Sequence, residues 1–231
     1  MRARKLILVL VLATNTIAAL AVAQDNRPYR LDFGLQAGIG YYVGDATSNI
    51  FQNVRETYGG HIRYKFDPRW SLTAKGLQQT AYVPSASVRT KDGQATTEAH
   101  TRHWGNIDVT AEFNFFRLGQ YQYDKRYRPF SPYIFLGVGT TIYDSPNGGM
   151  KAAAYLPFGI GFKWMFAARW GLIWSWQHNL VFADDIEGDP LLGNTWGING
   201  KNFMNCDLQG QMTLGVVFSF AQVHKVCKTC R

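Results

Sequence analysis

Leu156-Pro-Phe-Gly-Ile-Gly-Phe-Lys-Trp-Met-Phe166 and Leu208-Gln-Gly-Gln-Met-Thr-Leu-Gly-Val-Val-Phe-Ser-Phe220 decide the fold, because large apolar residues alternate with polar or small ones along both stretches. In the first stretch the leucine, the isoleucine, the tryptophan and the phenylalanines share one face, while Gly159, Gly161 and Lys163 share the other. A period of two over about ten residues indicates a β-strand with one apolar and one polar face. An aromatic-rich face opposite Gly, Gln and Lys is typical of a strand that crosses an outer membrane.

The composition supports one barrel domain and argues against a nucleic-acid partner. The chain has 231 residues, of which 15% are aromatic, 17% are charged and 23 are glycine. Charged residues make up roughly a quarter of a soluble domain, so this chain is poor in charge. The formal net charge is +8, but no run of Lys and Arg interleaved with stacking aromatics marks a nucleic-acid groove. We expect no nucleic acid and no small-molecule substrate.

The N-terminus reads as a cleaved secretory signal, residues 1–23. A basic start precedes the apolar run Leu6–Ala13, and Ala21-Val22-Ala23 forms an Ala-x-Ala site before Gln24. The apolar run is too short for a membrane anchor, and no other segment reaches about 18 consecutive apolar residues. We therefore predict a signal peptide (1–23), an outer-membrane barrel domain (24–220) and a periplasmic C-terminal tail (221–231).

Alternation and turn residues predict an all-β fold, an eight-stranded antiparallel up-and-down transmembrane β-barrel. The eight segments are Leu31–Tyr42, Thr57–Phe66, Trp70–Tyr82, Trp104–Phe116, Ser131–Tyr143, Tyr155–Phe166, Trp170–Val181 and Asn205–Phe220. Links after the second and sixth segments are tight, whereas those after the first, third, fifth and seventh are long, which is typical of periplasmic turns and outer loops. The long, basic link Arg117–Phe130 is the exception, and by parity it lies in the periplasm with both termini.

The competing fold is a soluble eight-stranded barrel whose apolar face points inward around a ligand. Its outer face would need many Lys and Glu residues, whereas the polar face here is rich in glycine with scattered charges. We also predict two aromatic girdles at the lipid boundaries. The outer girdle is Tyr41, Tyr58, Tyr82, Trp104, Tyr143 and Tyr155, and the inner girdle is Trp70, Tyr133, Trp164 and Trp170.

Charged residues on the polar face predict a plugged interior. Arg63, Lys75, Asp108 and Glu112 all fall on this face. An eight-stranded barrel has an interior just wide enough for its own side chains. We therefore predict a lumen charge network in which Glu112 and Asp108 neutralise Arg63 and Lys75, and we expect no conducting channel.

Residues suited to catalysis or metal binding form no convincing site. Ser175, His178 and Asp184 could be drawn as a hydrolytic triad, but no nucleophile motif surrounds them. His100-x-x-His103, in the link after the third strand, lacks a second ligand pair with suitable spacing. The acidic run 184–189 departs from the spacing of an EF-hand. We expect no enzyme activity, no metal and no cofactor.

The predicted periplasmic surface combines residues that suit a protein contact, since Tyr and Arg are favoured at binding hot spots. In the link these residues are Tyr121, Tyr123, Lys125, Arg126, Tyr127 and Arg128. The alternative is a lipid-facing basic loop attracted to anionic head groups. The tail adds Cys227 and Cys230, which form either a local bridge or an intermolecular disulfide. Cys206 lies a strand's length away, too far to pair with either of them.

Six segments in order resemble the PorG family, the small outer-membrane barrels of the type IX secretion system of Bacteroidetes. They are Tyr42-Val-Gly-Asp45, Tyr58-Gly-Gly-His-Ile-Arg-Tyr64, Glu112-Phe-Asn-Phe-Phe116, Pro132-Tyr-Ile-Phe-Leu-Gly-Val-Gly139, Pro157-Phe-Gly-Ile-Gly161 and Phe182-Ala-Asp-Asp-Ile-Glu-Gly188. The resemblance covers most of Leu31–Phe220, but Ile186, Glu187, Asp189 and Pro190 depart from the family pattern. It implies a non-enzymatic role beside the periplasmic ring of the lipoprotein PorK and its partner PorN. The alternative is a stand-alone OmpA- or OmpW-like surface barrel or adhesin.

Overall fold

The computed structural model describes residues 29–43, 54–83, 85, 87–90, 93–96, 99–119, 127–144, 149–183 and 207–222. The predicted signal peptide, the acidic run 184–189, Cys206 and the cysteines of the tail lie outside these residues. Among the residues described, no helix is long and apolar enough to cross a membrane.

Eight long strands form one closed ring. They are β1 (Tyr29–Val43), β2 (Arg55–Lys65), β3 (Trp70–Val83), β6 (His100–Asn114), β9 (Phe130–Asp144), β10 (Met150–Met165), β11 (Trp170–Val181) and β12 (Asp207–Gln222). Each pairs antiparallel with its neighbours in the chain, and β1 pairs with β12 to close the barrel. The predicted eight-stranded antiparallel up-and-down barrel is therefore confirmed.

The strands are strongly staggered around the ring. Pairing partners followed from Leu31 through β2, β3, β6, β9, β10, β11 and β12 return to β1 at Tyr41, ten residues further along. A stagger of this size in an eight-stranded ring requires a strand tilt of roughly 40° and leaves room inside only for side chains. Residues far apart in the sequence therefore reach the same level of the interior.

The wall alternates as the sequence predicts, with apolar side chains outside and polar ones inside. On β12, Leu214 is 58% exposed while its neighbour Thr213 is 2% exposed. On β6, Ile107 and Val109 face outward whereas Asn106, Asp108 and Thr110 are buried in the lumen. The soluble alternative is wrong for the described chain, because its apolar face would be the buried one.

Four short strands were missed by the sequence analysis. β4 (Ser87–Thr90) and β5 (Gly93–Thr96) form a hairpin in the link after β3. β7 (Arg117–Leu118) and β8 (Tyr127–Arg128) form a parallel pair at the base of the link after β6. Two- and four-residue strands are too short to show a period, so alternation cannot reveal them.

His100-x-x-His103, which the sequence analysis considered and rejected as a metal site in a link, lies in a strand. β6 begins at His100, because its ladder with β3 continues to the pair Val83–His100. Residues three apart on a strand point to opposite sides of the sheet. His100 and His103 therefore cannot chelate one ion together.

Candidate functional site: the filled lumen and the short-turn end

The two ends of the barrel differ. The short-turn end carries the turns 66–69 and 166–169, together with the base of the link after β6. The long-link end carries the links after β1, β3, β9 and β11. Tyr29 pairs with Gln222, so the first and last described residues both lie at the short-turn end.

Glu112 is the centre of an ionic network inside the barrel near the short-turn end. Its carboxylate accepts hydrogen bonds from Arg63 Nε at 2.8 Å and from Lys163 Nζ at 2.5 Å. Ser71 Oγ and Thr73 Oγ1 donate to the same carboxylate at 3.1 and 2.6 Å. All five side chains are buried. Four strands, β2, β3, β6 and β10, are thus joined through one carboxylate.

Asp32 extends this network to the seam where the barrel closes. Its carboxylate lies 3.4 Å from Arg63 Nη1 and 2.6 Å from Lys65 Nζ. Ser219 Oγ on β12 donates to Asp32 Oδ1 at 2.7 Å. Because Arg63 contacts both Asp32 and Glu112, each of these two buried acids has a cationic partner. A buried charge that lacks such a partner is strongly destabilising.

Gln177 bridges the middle of the lumen. Its Oε1 accepts a hydrogen bond from Lys75 Nζ at 2.5 Å, and its Nε2 donates to Asp108 Oδ2 at 3.0 Å. Tyr155 also donates to Asp108 Oδ2 at 3.0 Å. β3 and β11 stand opposite each other in the ring, so the contact between Lys75 and Gln177 crosses the full lumen.

The structure brings together only part of the predicted charge network. Arg63 and Glu112 are in contact, whereas Lys75 and Asp108, although paired in register, are bridged by the amide of Gln177. Lys163, Asp32 and Gln177 are among the lumen residues that the predicted set omitted. Like the residues of the predicted set, each is a polar residue on the lumen face of its strand, and the sequence pattern shows this. The pattern does not show which strands meet across the interior.

Aromatic side chains close the interior at the long-link end. Tyr42, Trp104, Tyr143 and Tyr155 are each at most 3% exposed and pack together with Ala81, Ala153 and Val181. The rings of Tyr42 and Trp104 meet edge to face, with centroids 5.8 Å apart. We call these seven residues the aromatic cap. The ionic network, the Gln177 bridge and the cap thus place buried side chains at successive levels of the described interior.

Four members of the predicted girdles therefore lie on the wrong side of the wall. Trp104, Tyr143 and Tyr155 belong to the aromatic cap, and Tyr133 lies in the lumen beneath Lys163, whose Nζ is 4.1 Å from the ring centroid. The physical reason is parity. Trp104 is an even number of residues from Asn106 and Asp108, so it shares their lumen face.

Exposed aromatic side chains surround the outside of the short-turn end, as a lipid boundary requires. We call this ring the aromatic belt; its exposed members are Phe66, Trp70, Phe115, Phe116, Phe130, Trp164, Phe166 and Phe220. Several rings contact one another, including Phe116 with Phe130 and Trp164 with Phe166. Trp70 and Trp164 lie where the inner girdle was predicted.

The base of the predicted partner-binding link is part of the folded structure. The β7–β8 pair is extended by a hydrogen bond from Gly119 N to Arg128 O at 2.9 Å. Leu118 N donates to Pro68 O in the neighbouring turn at 3.5 Å. Of the predicted contact residues, Arg128 is exposed, and Tyr127 is described by its backbone. Tyr121, Tyr123, Lys125, Arg126, Cys227 and Cys230 lie outside the described residues.

The hydrolytic triad considered from the sequence does not assemble. Ser175 is buried in the lumen, with its Oγ 2.7 Å from Thr213 Oγ1. His178 is on the outer wall, where its ring contacts Tyr41, Phe158 and Trp176. The sheet itself separates the two side chains. Within the described ranges, no group of three or more His, Cys, Asp or Glu side chains could hold a metal ion.

A closed antiparallel barrel with an apolar outer wall, a polar filled interior and an aromatic belt has the architecture of the small outer-membrane β-barrels. The sequence matches no family model, and no characterised protein sequence is significantly similar to it. Its similarities are to solved barrel structures.

Three of these structures illustrate the similarity. The N-terminal β-barrel domain of OprF from Pseudomonas aeruginosa is 14% identical, with 83% of this chain and 100% of that chain covered and a TM-score of 0.45. Neisserial surface protein A is 12% identical, with coverages of 82% and 97% and a TM-score of 0.47. Ail of Yersinia pestis, solved with the heparin analogue sucrose octasulfate, is 12% identical, with coverages of 83% and 99% and a TM-score of 0.45. Each similarity concerns the fold alone.

Proposed function

We propose that this protein is a non-enzymatic outer-membrane component of the type IX protein secretion machinery, which anchors or stabilises the periplasmic ring complex at the membrane. The observation that carries the proposal is the filled interior, above all the contact between Lys75 and Gln177 across the lumen. A barrel blocked by its own side chains transports no cargo, so it acts through what it binds. The sequence resemblance to the PorG family supplies the identity of the machinery.

The short-turn end is the proposed periplasmic side and the proposed binding surface. The link after β6 begins and ends in the β7–β8 pair, which gives the loop between them a fixed base beside the turn 66–69. That loop carries the tyrosines and bases suited to contact with PorK or PorN. The tail continues from the same end of the barrel, and we propose that Cys227 or Cys230 links it covalently to the lipoprotein.

A pull-down after extraction in mild detergent tests this proposal. We expect the wild-type barrel to co-purify the ring proteins, and the triple variant Tyr121→Ala/Tyr123→Ala/Tyr127→Ala to lose them. The matched control is Val88→Ala/Arg89→Ala in the β4–β5 hairpin at the opposite end. We expect this variant to co-purify the ring proteins as the wild type does. A wild-type barrel that purifies alone in every detergent contradicts the proposal.

The disulfide needs a separate measurement. Non-reducing gels of whole envelopes are expected to show a band larger than the monomer, which disappears in Cys227→Ser or Cys230→Ser. If only monomer appears and both variants secrete cargo normally, the covalent link is wrong and the loop contact remains to be tested by the pull-down.

Conductance tests the filled lumen directly. Protein reconstituted in planar bilayers is expected to show no steady large-pore current, because the ionic network, the Gln177 bridge and the aromatic cap occupy successive levels of the interior. Steady large currents from the wild-type barrel would contradict the plug and the role inferred from it.

The second candidate function is a stand-alone surface barrel or adhesin. The β4–β5 hairpin favours it, since this hairpin adds ordered structure to the long-link end, where a surface barrel would bind. Replacing residues 87–96 with a short Gly/Ser linker discriminates the two functions. Loss of binding to host or matrix components, with cargo secretion unchanged, supports the surface barrel.

A further inference from the structure

Three arginines from distant parts of the sequence lie on backbone segments that meet at the short-turn end. Arg69 lies in the turn between β2 and β3, Arg117 in β7 and Arg128 in β8, and all three side chains are exposed. Backbone hydrogen bonds hold the three segments together: Asn114 N donates to Arg69 O at 2.8 Å, Leu118 N to Pro68 O, and Gly119 N to Arg128 O. We call the three residues the arginine cluster.

The guanidinium groups of the arginine cluster have no acidic partner among the described residues. The nearest acid in the sequence, Asp67, accepts hydrogen bonds from the backbone N–H groups of Arg69 and Trp70 through its Oδ1, at 2.5 and 3.1 Å. Two other described arginines are engaged. Arg63 lies in the ionic network, and Arg169 donates to Tyr29 Oη at 2.9 Å.

Each member of the arginine cluster lies one or two residues from an exposed member of the aromatic belt. The neighbours are Trp70, Phe116 and Phe130, which are 48%, 44% and 41% exposed. The rings of Phe116 and Phe130 also contact each other, with centroids 5.8 Å apart. Aromatic residues of this kind lie at the edge of the hydrocarbon layer. The three arginines lie in the turn and link segments just beyond these rings, on the side away from the hydrocarbon layer.

We propose that the arginine cluster binds the phosphate groups of anionic phospholipids in the leaflet at the short-turn end. An arginine presents a planar fork of N–H donors that matches two phosphate oxygens. Beside each fork an exposed aromatic ring contacts the upper part of the acyl chains. This inference goes beyond the proposed function, because lipid binding at this rim does not depend on any secretion partner.

Competition between two lipids that share the same acyl chains tests the proposal. Purified protein in mixed micelles receives equal amounts of phosphatidylglycerol and phosphatidylcholine, and native mass spectrometry measures the ratio of the bound forms. We expect the wild type to favour phosphatidylglycerol by roughly ten-fold or more, given about five-fold per arginine at an anionic surface. The double variant Arg117→Gln/Arg128→Gln keeps only Arg69 of the cluster and is expected to lower the preference several-fold, to about five-fold or less.

Matched controls separate this effect from unfolding and from net charge. Arg55→Gln/Lys151→Gln removes two exposed charges at the long-link end and is expected to keep the wild-type preference. A difference in migration between boiled and unboiled samples verifies that each variant is folded. A wild type without preference, or a double variant that retains the full preference, overturns the proposal.

An acidic protein segment is the competing occupant of the arginine cluster. If Arg117→Gln/Arg128→Gln keeps its lipid preference but loses a co-purified protein in the pull-down, the cluster binds protein and the lipid assignment is wrong. The lipid assay uses the barrel alone, so its result is independent of whether the proposed ring contact exists.

Discussion

The two ends of the barrel place the same kinds of residue on opposite sides of the wall. At the short-turn end the aromatic belt faces outward and the ions around Glu112 lie inside. At the long-link end Trp104, Tyr143 and Tyr155 turn inward and form the aromatic cap. The difference shows that closeness to a strand end does not tell where an aromatic residue belongs. The side of the wall is decided by whether the aromatic residue is an even number of positions from the lumen residues of the same strand.

The largest effect is expected at the interior of the short-turn end. Glu112→Ala leaves Arg63 and Lys163 without their shared carboxylate, and such a loss costs about 3–5 kcal/mol when the site is dry. Chemical unfolding in lipid, followed by circular dichroism, measures the change. Glu56→Ala, on an exposed side chain of the opposite end, is the matched control and should change the free energy of unfolding by less than about 0.5 kcal/mol. Equal losses in the two variants would contradict the ionic network.

Trp104→Ala tests the interior of the long-link end. Trp104 is fully buried in the aromatic cap, and truncating a buried tryptophan costs about 3 kcal/mol or more. Trp70→Ala, on the exposed belt, is the matched control and should cost clearly less, because half of that side chain already faces the lipid. If Trp70→Ala is the more destabilising change, the assignment of the two ends to opposite sides of the wall is wrong.

A pair of glycines tests the two sides of the wall with the same substitution. A Cβ at Gly161 would lie 2.4 Å from ring atoms of Tyr133 in the lumen, whereas a Cβ at Gly76 on the outer face meets nothing within 4 Å. Gly161→Ala should therefore destabilise by about 1–3 kcal/mol, as overpacked interiors do. Gly76→Ala should be neutral or stabilising by up to about 1 kcal/mol. Thermal unfolding of both variants decides the point, and similar midpoints would argue against a tightly filled interior.

The smallest effect is expected where the chain leaves the barrel at the short-turn end. Ala221 has a φ of 59°, in the left-handed region that costs a residue with a Cβ about 1–2 kcal/mol. Ala221→Gly should raise the free energy of unfolding by up to about 1 kcal/mol. Ala37→Gly, in the regular part of β1, should lower it by about 0.5–1 kcal/mol. A loss of stability in both variants would exclude strain at Ala221.

The sequence by itself determined the barrel, the number of long strands and the face on which nearly every wall residue lies. These follow from a period of two that is sustained over each strand, since an apolar outer wall leaves no other arrangement. The even spacing of Trp104 from Asn106 and Asp108 also predicted that Trp104 lies on the lumen face. Its position near a strand end instead suggested a place in the girdle.

Only the tertiary structure decided which lumen residues meet. The stagger that carries Leu31 to the level of Tyr41 sets which residues of opposite strands face each other. It brings Lys75 to Gln177, and it brings Lys163 to Glu112 past the intervening β9. The alternation of residues along one strand does not predict this stagger, because the stagger is a property of the closed ring. For the same reason the arginine cluster, which three separate segments form, is absent from any single stretch of the sequence.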